Sequence, residues 1–173
     1  MGQPEPNSRL KIRLHNQGED AETVWAEDLG ITLLNSTARY VRIENVPFLH
    51  LKPTFGDVIE VLPDADGMFE WDRDGLEFDE IGTRILQDGG RWLAVIRYWP
   101  PRKTLDRYSA FLALRAAGDA RDIVVEGAYA TKTRGIACLA VPESMDLIDL
   151  LFWLLSLYDG VRSLLLHPKV VST

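Results

Sequence analysis

The chain has 173 residues, 46% hydrophobic and 26% charged, a composition that predicts a globular protein rather than a disordered one. Its single cysteine, Cys138, excludes an intramolecular disulfide and favours a cytoplasmic, reducing location. The net charge of −7 argues against nucleic-acid binding. The most apolar stretch, residues 147–157, is shorter than the roughly 20 residues of a membrane-spanning helix, so we expect no membrane segment.

Residues 1–8 predict a disordered lead-in, and residues 9–80 a small β-barrel domain. Apolar and polar residues alternate from Arg9 onward, as is typical of half-buried strands, and turn residues interrupt the alternation repeatedly. Gly30 is expected to end the second strand, and Asp66-Gly67 to form a hairpin turn. Five or six short strands within about 70 residues predict a barrel of the SH3-like type.

The pattern changes after residue 80, where residues 81–90 predict a linker and residues 91–173 a second domain. This domain shows one strand, a helix, two strands, a second helix and a last strand. That order, β-α-β-β-α-β, is typical of the ferredoxin-like fold, and it makes the fold class of the whole chain α+β. Gly118 is expected to end the first helix as the C′ residue.

The second predicted helix, residues 145–158, is apolar around its whole circumference. A helix on one side of an open sheet normally keeps a polar face toward water. The outer side of this helix is therefore expected to be covered, and two alternatives remain open. Either the barrel domain covers it, or it is the contact surface for a second copy of the chain or another partner.

Several segments of the first half resemble one bacterial family. They are VWAE at residues 24–27, NVPF at residues 45–48, GDVIEV at residues 56–61 and Asp66-Gly67. Together they are similar to domain of unknown function 4265 over about residues 10–99. The family pattern continues into a Gly followed by Ser or His and a Thr-Arg pair, whereas this chain has QDGGRWLA at residues 87–94. The resemblance implies no assigned reaction, and small acidic proteins of this type often act as immunity partners of toxins.

The histidines and glycines do not form a recognisable cofactor or metal motif. His15, His50 and His167 lack the spacing of zinc ligands, and the chain has no second cysteine. A Gly-rich phosphate-binding loop is also absent from the sequence. We therefore expect neither a metal nor another cofactor.

The negative charge is concentrated in an acidic segment, residues 57–80, which contains ten acidic residues and one arginine. One interpretation is a solvated hairpin and linker. The other is electrostatic recognition of a basic protein, since such a charge accelerates association with an oppositely charged partner and aromatic residues supply anchors. The candidate partner-binding residues are Asp64, Asp66, Phe69, Glu70, Trp71, Asp72, Asp74, Glu77 and Phe78.

Two functions follow from these patterns. The first is a non-catalytic binding protein, most concretely an immunity-type protein that neutralises a basic toxin or effector through the acidic segment. The second is a small enzyme or small-molecule sensor with a pocket between the two domains, because ligand pockets favour domain junctions. The candidate pocket residues are Trp25, Asn45, His50, Arg91 and Arg97. Trp25 is alternatively a barrel-core aromatic, and Asn45 alternatively binds the backbone of its own loop.

Overall fold

The computed structural model describes residues 8–15, 21–32, 36–48, 52–71, 85–98, 107–131, 134–157 and 167–168. These residues form strands and two helices, which confirms the mixed α+β class. The chain divides into two compact units, residues 1–90 and residues 91–173. Within the described residues, neither helix has the length and apolar character required to cross a membrane.

The first unit contains a closed barrel of five strands. The strands are β1 (Arg9–Leu14), β2 (Glu22–Ile31), β3 (Arg39–Ile43), β4 (Val58–Pro63) and β5 (Phe69–Trp71). Each strand pairs antiparallel with the next along the chain, and β5 closes the barrel by pairing parallel with β1. The closing pair is parallel because the first and fifth strands of an up-and-down order run in the same direction. A further strand, β6 (Ile85–Gln87), pairs antiparallel with β4.

Alternating apolar residues fill the barrel, as the period-two pattern predicts. In β1, for example, Ile12 and Leu14 are fully buried, while Arg9 and Lys11 are exposed. The buried core of the barrel consists of Ile12, Leu14, Val24, Ala26, Val41, Ile43, Ile59, Val61 and Trp71.

Three boundaries predicted for the first unit are wrong. Gly30 does not end a strand: β2 continues to Ile31 through a bulge, where Gly30 has a φ of 113° and donates its backbone N–H to Oδ1 of Asp28 at 2.8 Å. Residues 85–90 belong to the first unit rather than to a linker, since β6 pairs with β4. Ser8, expected in the lead-in, accepts a hydrogen bond from the Asp28 backbone N–H, while residues 1–7 lie outside the described residues.

The second unit contains a four-stranded antiparallel sheet and two helices. Its elements are β7 (Arg91–Tyr98), α1 (Arg107–Asp119), β8 (Val124–Thr131), β9 (Arg134–Pro142), α2 (Leu147–Leu157) and β10 (His167–Pro168). The strand order in the sheet is β10-β7-β9-β8, and all three neighbouring pairs are antiparallel. One core joins the sheet to both helices, with Leu114 from α1 and Leu150, Trp153 and Leu154 from α2.

Gly118 lies inside α1 and does not end the helix as its C′ residue. The left-handed conformation falls instead on Asp122, whose φ is 58°. A β-carbon at Gly118 would lie 2.6 Å from Cγ2 of Val125 and 2.8 Å from the carbonyl oxygen of Ile123. That oxygen and side chain belong to the chain entering β8, so glycine is needed here because the helix and the strand approach closely, not because of a turn.

We therefore expect Gly118→Ala to destabilise the protein, although alanine favours helix over glycine by about 1 kcal/mol. The new methyl group must displace the backbone of Ile123 or the side chain of Val125, at a cost of about 1–3 kcal/mol. Urea unfolding measures the free energy of unfolding of both proteins. Ala116→Gly, at an exposed position of the same helix, gives the helix-propensity term alone, and a Gly118→Ala variant more stable than the wild type would contradict the close approach.

Candidate functional site

The helix α2 begins at a cap that the sequence supplies. Oδ1 of Asp146 accepts a hydrogen bond from the Asp149 backbone N–H at 2.8 Å, which satisfies one of the free donors of the first turn. The indole N–H of Trp92, on β7, donates to the carbonyl oxygen of Met145 at 3.0 Å. The cap and the tryptophan thus fix the start of the helix over the sheet, and Leu150, Trp153 and Leu154 are buried beneath it.

The opposite side of α2 exposes large apolar side chains. Phe152 is 69% exposed, Ile148 62%, Leu155 59% and Leu147 39%. Ile148, Phe152 and Leu155 are spaced by four and three residues, so they form one stripe along the helix. We call the four side chains the α2 face. It agrees with the predicted helix in being apolar on its outer side. The helix begins at Leu147 rather than at the predicted residue 145, and the predicted last residue, 158, lies outside the described residues.

An open groove of about 520 Å³ runs beside the α2 face. Its lining combines apolar side chains with one basic and one acidic side chain, and all of them belong to the second unit: Arg121, Pro142, Ser144, Met145, Asp149, Phe152, Trp153 and Ser156. Arg121 and Asp149 are exposed, and within the described ranges neither takes part in a salt bridge. The sequence pattern did not indicate this groove, because its lining comes from three separate stretches of chain, at residue 121, residues 142–145 and residues 149–156.

Two of the candidate partner-binding carboxylates in the acidic segment form contacts with other residues of the same chain. Asp64 accepts the backbone N–H groups of Asp66 and Met68 through Oδ1, which stabilises the predicted Asp66-Gly67 turn. Its Oδ2 lies 2.9 Å from Nη1 of Arg13. Glu70 lies 2.9 Å from Nε2 of His15. Asp64 and Glu70 are therefore already paired, whereas Asp66 is exposed on the turn.

The proposed aromatic anchors of the acidic segment are also placed differently from the prediction. Trp71 is 2% exposed and belongs to the barrel core, so it is not an anchor for a partner. Phe69 is half-buried and packs against the same core. The remaining candidates, Asp72, Asp74, Glu77 and Phe78, lie outside the described residues.

The candidate pocket residues Trp25 and Asn45 form part of the barrel wall. Trp25 is not a core aromatic: it is 47% exposed, and Nζ of Lys11 lies 5.1 Å from the centroid of its ring. Asn45 does not bind its own loop, because its Oδ1 accepts the backbone N–H of Trp25 at 2.6 Å, and this bond ties the end of β3 to β2.

The remaining candidate pocket residues are Arg91 and Arg97, near opposite ends of β7, and His50 of the first unit. The guanidinium group of Arg91 donates to the carboxylate of Asp122 at 2.7 Å and to the carbonyl oxygen of Ala140 at 3.3 Å. It therefore stabilises the turn before β8. Arg97 is exposed on β7. His50 lies outside the described residues.

A polar cluster that the sequence pattern did not predict joins two loops of the first unit. The carboxylate of Asp57 is fully buried and accepts the backbone N–H of Thr54 and that of Gly89, each at 2.8 Å. Asp57 thus satisfies one backbone donor in each of the two loops. Nζ of Lys52 lies 3.4 Å from Asp57 and 3.0 Å from Oδ1 of Asp88. The sequence feature that could have indicated this polar cluster is the pair of segments Gly56-Asp57 and Asp88-Gly89, which are 32 residues apart.

The pKa values of the two carboxylates of this polar cluster are shifted in opposite directions overall. Burial raises the pKa of Asp57, and the hydrogen bonds from Gly89 and Thr54 and the charge of Lys52 only partly oppose it. Burial also raises the pKa of Asp88, but hydrogen bonds from Lys52 and from the Gly90 backbone outweigh it, so the pKa falls below its ordinary value. Because Asp57 has no exposed surface and both its oxygens accept backbone N–H groups, the cluster holds two loops together. Among the described residues, no group of three His, Cys, Asp or Glu side chains could hold a metal ion.

Comparison with known proteins yields one weak structural similarity. The chain is similar to a hypothetical protein from Neisseria gonorrhoeae, with 11% identity, a TM-score of 0.43 and coverage of 84% of this chain and 83% of that chain. Neither a family model nor a curated protein matches the sequence.

We expect the stability difference between the wild type and Asp57→Asn to depend on pH. Since the folded protein raises the pKa of Asp57 above its ordinary value of 3.8, the neutral carboxyl group favours folding. That contribution is fully present below the ordinary pKa and is lost as the pH rises through the raised pKa. The wild type should therefore lose stability relative to the variant over this window, as measured by urea unfolding at each pH.

The matched control for the Asp57 experiment is Asp66→Asn, an exposed carboxylate of the same unit. Subtracting its pH series removes the general effect of losing one negative charge. A wild type that gains stability relative to Asp57→Asn as the pH rises would contradict the account.

Proposed function

We propose that this chain is a non-catalytic protein-binding protein and that the α2 face is its docking surface. The observation that carries the proposal is the exposure of Leu147, Ile148, Phe152 and Leu155 on one side of a single helix. Monomeric soluble proteins rarely expose contiguous apolar patches larger than a few hundred Å², and the largest apolar patch of a protein is often functional. Aromatic side chains such as Phe152 commonly anchor these interfaces.

The surroundings of the α2 face support docking of a protein. A typical interface has an apolar centre and a polar rim, and Asp146, Asp149 and Arg121 supply exposed polar groups beside the apolar stripe. The adjacent groove gives a partner side chain a recess to enter. The helix beneath is held by a cap and a buried face, so the surface is preorganised and binding requires little ordering of the backbone.

A second candidate function keeps the basic partner expected from the sequence. In this version the protein is an immunity-type protein whose acidic segment, residues 57–80, neutralises a basic toxin or effector. The exposed carboxylate of Asp66 at the tip of the turn favours it, together with the ten acidic residues of the segment. The internal pairing of Asp64 and Glu70 reduces the charge available to a partner, so we place this candidate second.

We also propose a fold type for each of the two units and a family for the chain. The up-and-down five-stranded barrel is consistent with the SH3-like type. The β-α-β-β-α-β order with the sheet order β10-β7-β9-β8 is consistent with a ferredoxin-like unit. Membership of the family domain of unknown function 4265 rests on the sequence segments named above.

Affinity capture from a lysate of the source cells tests the docking surface. Ile148→Glu and Phe152→Glu each place a charge in the α2 face, and we expect either variant to lose a partner that the tagged wild type captures. Since apolar contacts are little screened by salt, capture by the wild type should persist from about 50 mM to about 500 mM salt.

Two controls separate the docking surfaces. Asp66→Lys reverses an exposed charge of the acidic segment and should leave capture unchanged. Tyr108→Glu adds a charge at an exposed aromatic residue of the other helix, 68% exposed, and should also leave it unchanged. Capture that is lost at high salt and in Asp66→Lys but retained in Phe152→Glu would contradict the proposal and favour the acidic segment.

A further inference from the structure

We propose that the partner docked on the α2 face is a second copy of this chain, bound in a two-fold symmetric contact. This inference rests on the proposed function, because it uses the same docking surface and specifies its occupant. In a two-fold contact the same patch is used by both subunits, so the patch must be complementary to itself. The α2 face and its groove meet this requirement in shape and in charge.

The complementarity in shape comes from a ridge that lies beside a recess. Ile148, Phe152 and Leu155 form the ridge, and Met145 and Trp153 contribute to the apolar lining of the adjacent groove. When two such surfaces meet about a two-fold axis, the ridge of each copy faces the groove of the other. Phe152 lies at the boundary of ridge and groove, so it is the side chain that we expect to be buried most completely by the second copy.

The complementarity in charge comes from Arg121 and Asp149, which line the same groove with opposite signs. Within the described ranges, neither side chain forms a salt bridge in its own chain. A two-fold axis places Arg121 of one copy opposite Asp149 of the other, and the same pair recurs on the far side of the axis. A uniformly basic or acidic partner would match only one of these two groups, and a second copy matches both.

The area of the surface also suits self-association. Four large apolar side chains that expose 39% to 69% of their surface amount to a few hundred Å². A standard interface buries about 800 Å² on each partner, of which the centre is apolar and the rim polar. The α2 face supplies the apolar centre, and the groove residues around it supply polar rim.

Sedimentation velocity of the purified full-length chain tests the dimer directly. From about 1 to about 100 µM, we expect the mass to rise from one chain of 19.5 kDa to two as mass action favours the dimer. Phe152→Glu should weaken dimerisation roughly 30-fold or more, since it places a charge at the centre of the contact. Tyr108→Glu is the matched control and should dimerise as the wild type does, and circular dichroism confirms that each variant is folded.

A charge-exchange experiment identifies the symmetry of the contact. Arg121→Asp and Asp149→Arg each bring two like-charged pairs together across the axis, so each variant alone should dimerise about tenfold more weakly at low salt. In an equimolar mixture, an Arg121→Asp chain faces an Asp149→Arg chain with both pairs attractive. We therefore expect the mixture to restore heterodimers, which an interaction confined to one chain could not produce.

The outcomes separate this inference from the proposed function. A wild type that stays monomeric to about 100 µM, or a dimer that Phe152→Glu leaves intact, overturns the second-copy assignment. Failure of the mixture to form heterodimers overturns the two-fold pairing of Arg121 with Asp149. Capture of a different protein that is lost in Phe152→Glu, combined with a monomeric wild type, leaves the proposed function standing while this inference fails. A wild type that neither captures a partner nor dimerises contradicts both.

Discussion

A short helix whose apolar side chains extend around most of its circumference cannot bury all of them against one face of a sheet. In α2, Leu150, Trp153 and Leu154 are buried in the core. The side chains on the other side, among them Phe152, are exposed to water. Exposed apolar surface of this kind is unfavourable by roughly 25 cal/mol per Å². The free energy recovered by covering it is the driving force that our account assigns to partner binding.

The first unit differs, because its barrel closes on itself and several of its carboxylates have partners within the unit. Its barrel closes on itself through the parallel pairing of β1 and β5, so none of the five strands offers a free edge to another chain. The carboxylate of Asp64 forms an ion pair with Arg13, and that of Glu70 is in hydrogen-bond contact with the imidazole of His15. Asp57 ties one loop to another from a fully buried position. These contacts explain why the acidic segment is a weaker candidate for binding than its net charge suggests.

Much of the fold could be predicted from the sequence, because strands and helices impose periodic patterns over many residues. The groove beside the α2 face could not, since its lining joins residues from separate stretches of the chain, such as Arg121, Ser144 and Phe152. Gly118 illustrates the limit: glycine near a helix end predicts a terminus, whereas here it accommodates the approach of Val125. The predicted roles of two tryptophans were also wrong. Trp71 was predicted to anchor a partner but lies in the barrel core, and Trp25 was considered as a core aromatic but is exposed. Trp25 alternates with the buried Val24 and Ala26 and therefore lies outside the barrel, a conclusion that the alternation itself already supported.

The central claim is that a second copy covers the α2 face, and thiol labelling of Ser156→Cys tests it most directly. Ser156 lines the groove, and the native Cys138 is buried. Our account predicts that the labelling rate of the introduced thiol falls as the protein concentration rises. The rate for Asp66→Cys, on the exposed turn of the barrel, should stay constant. Rates that are independent of concentration at both positions, or protection confined to Asp66→Cys, would contradict the account.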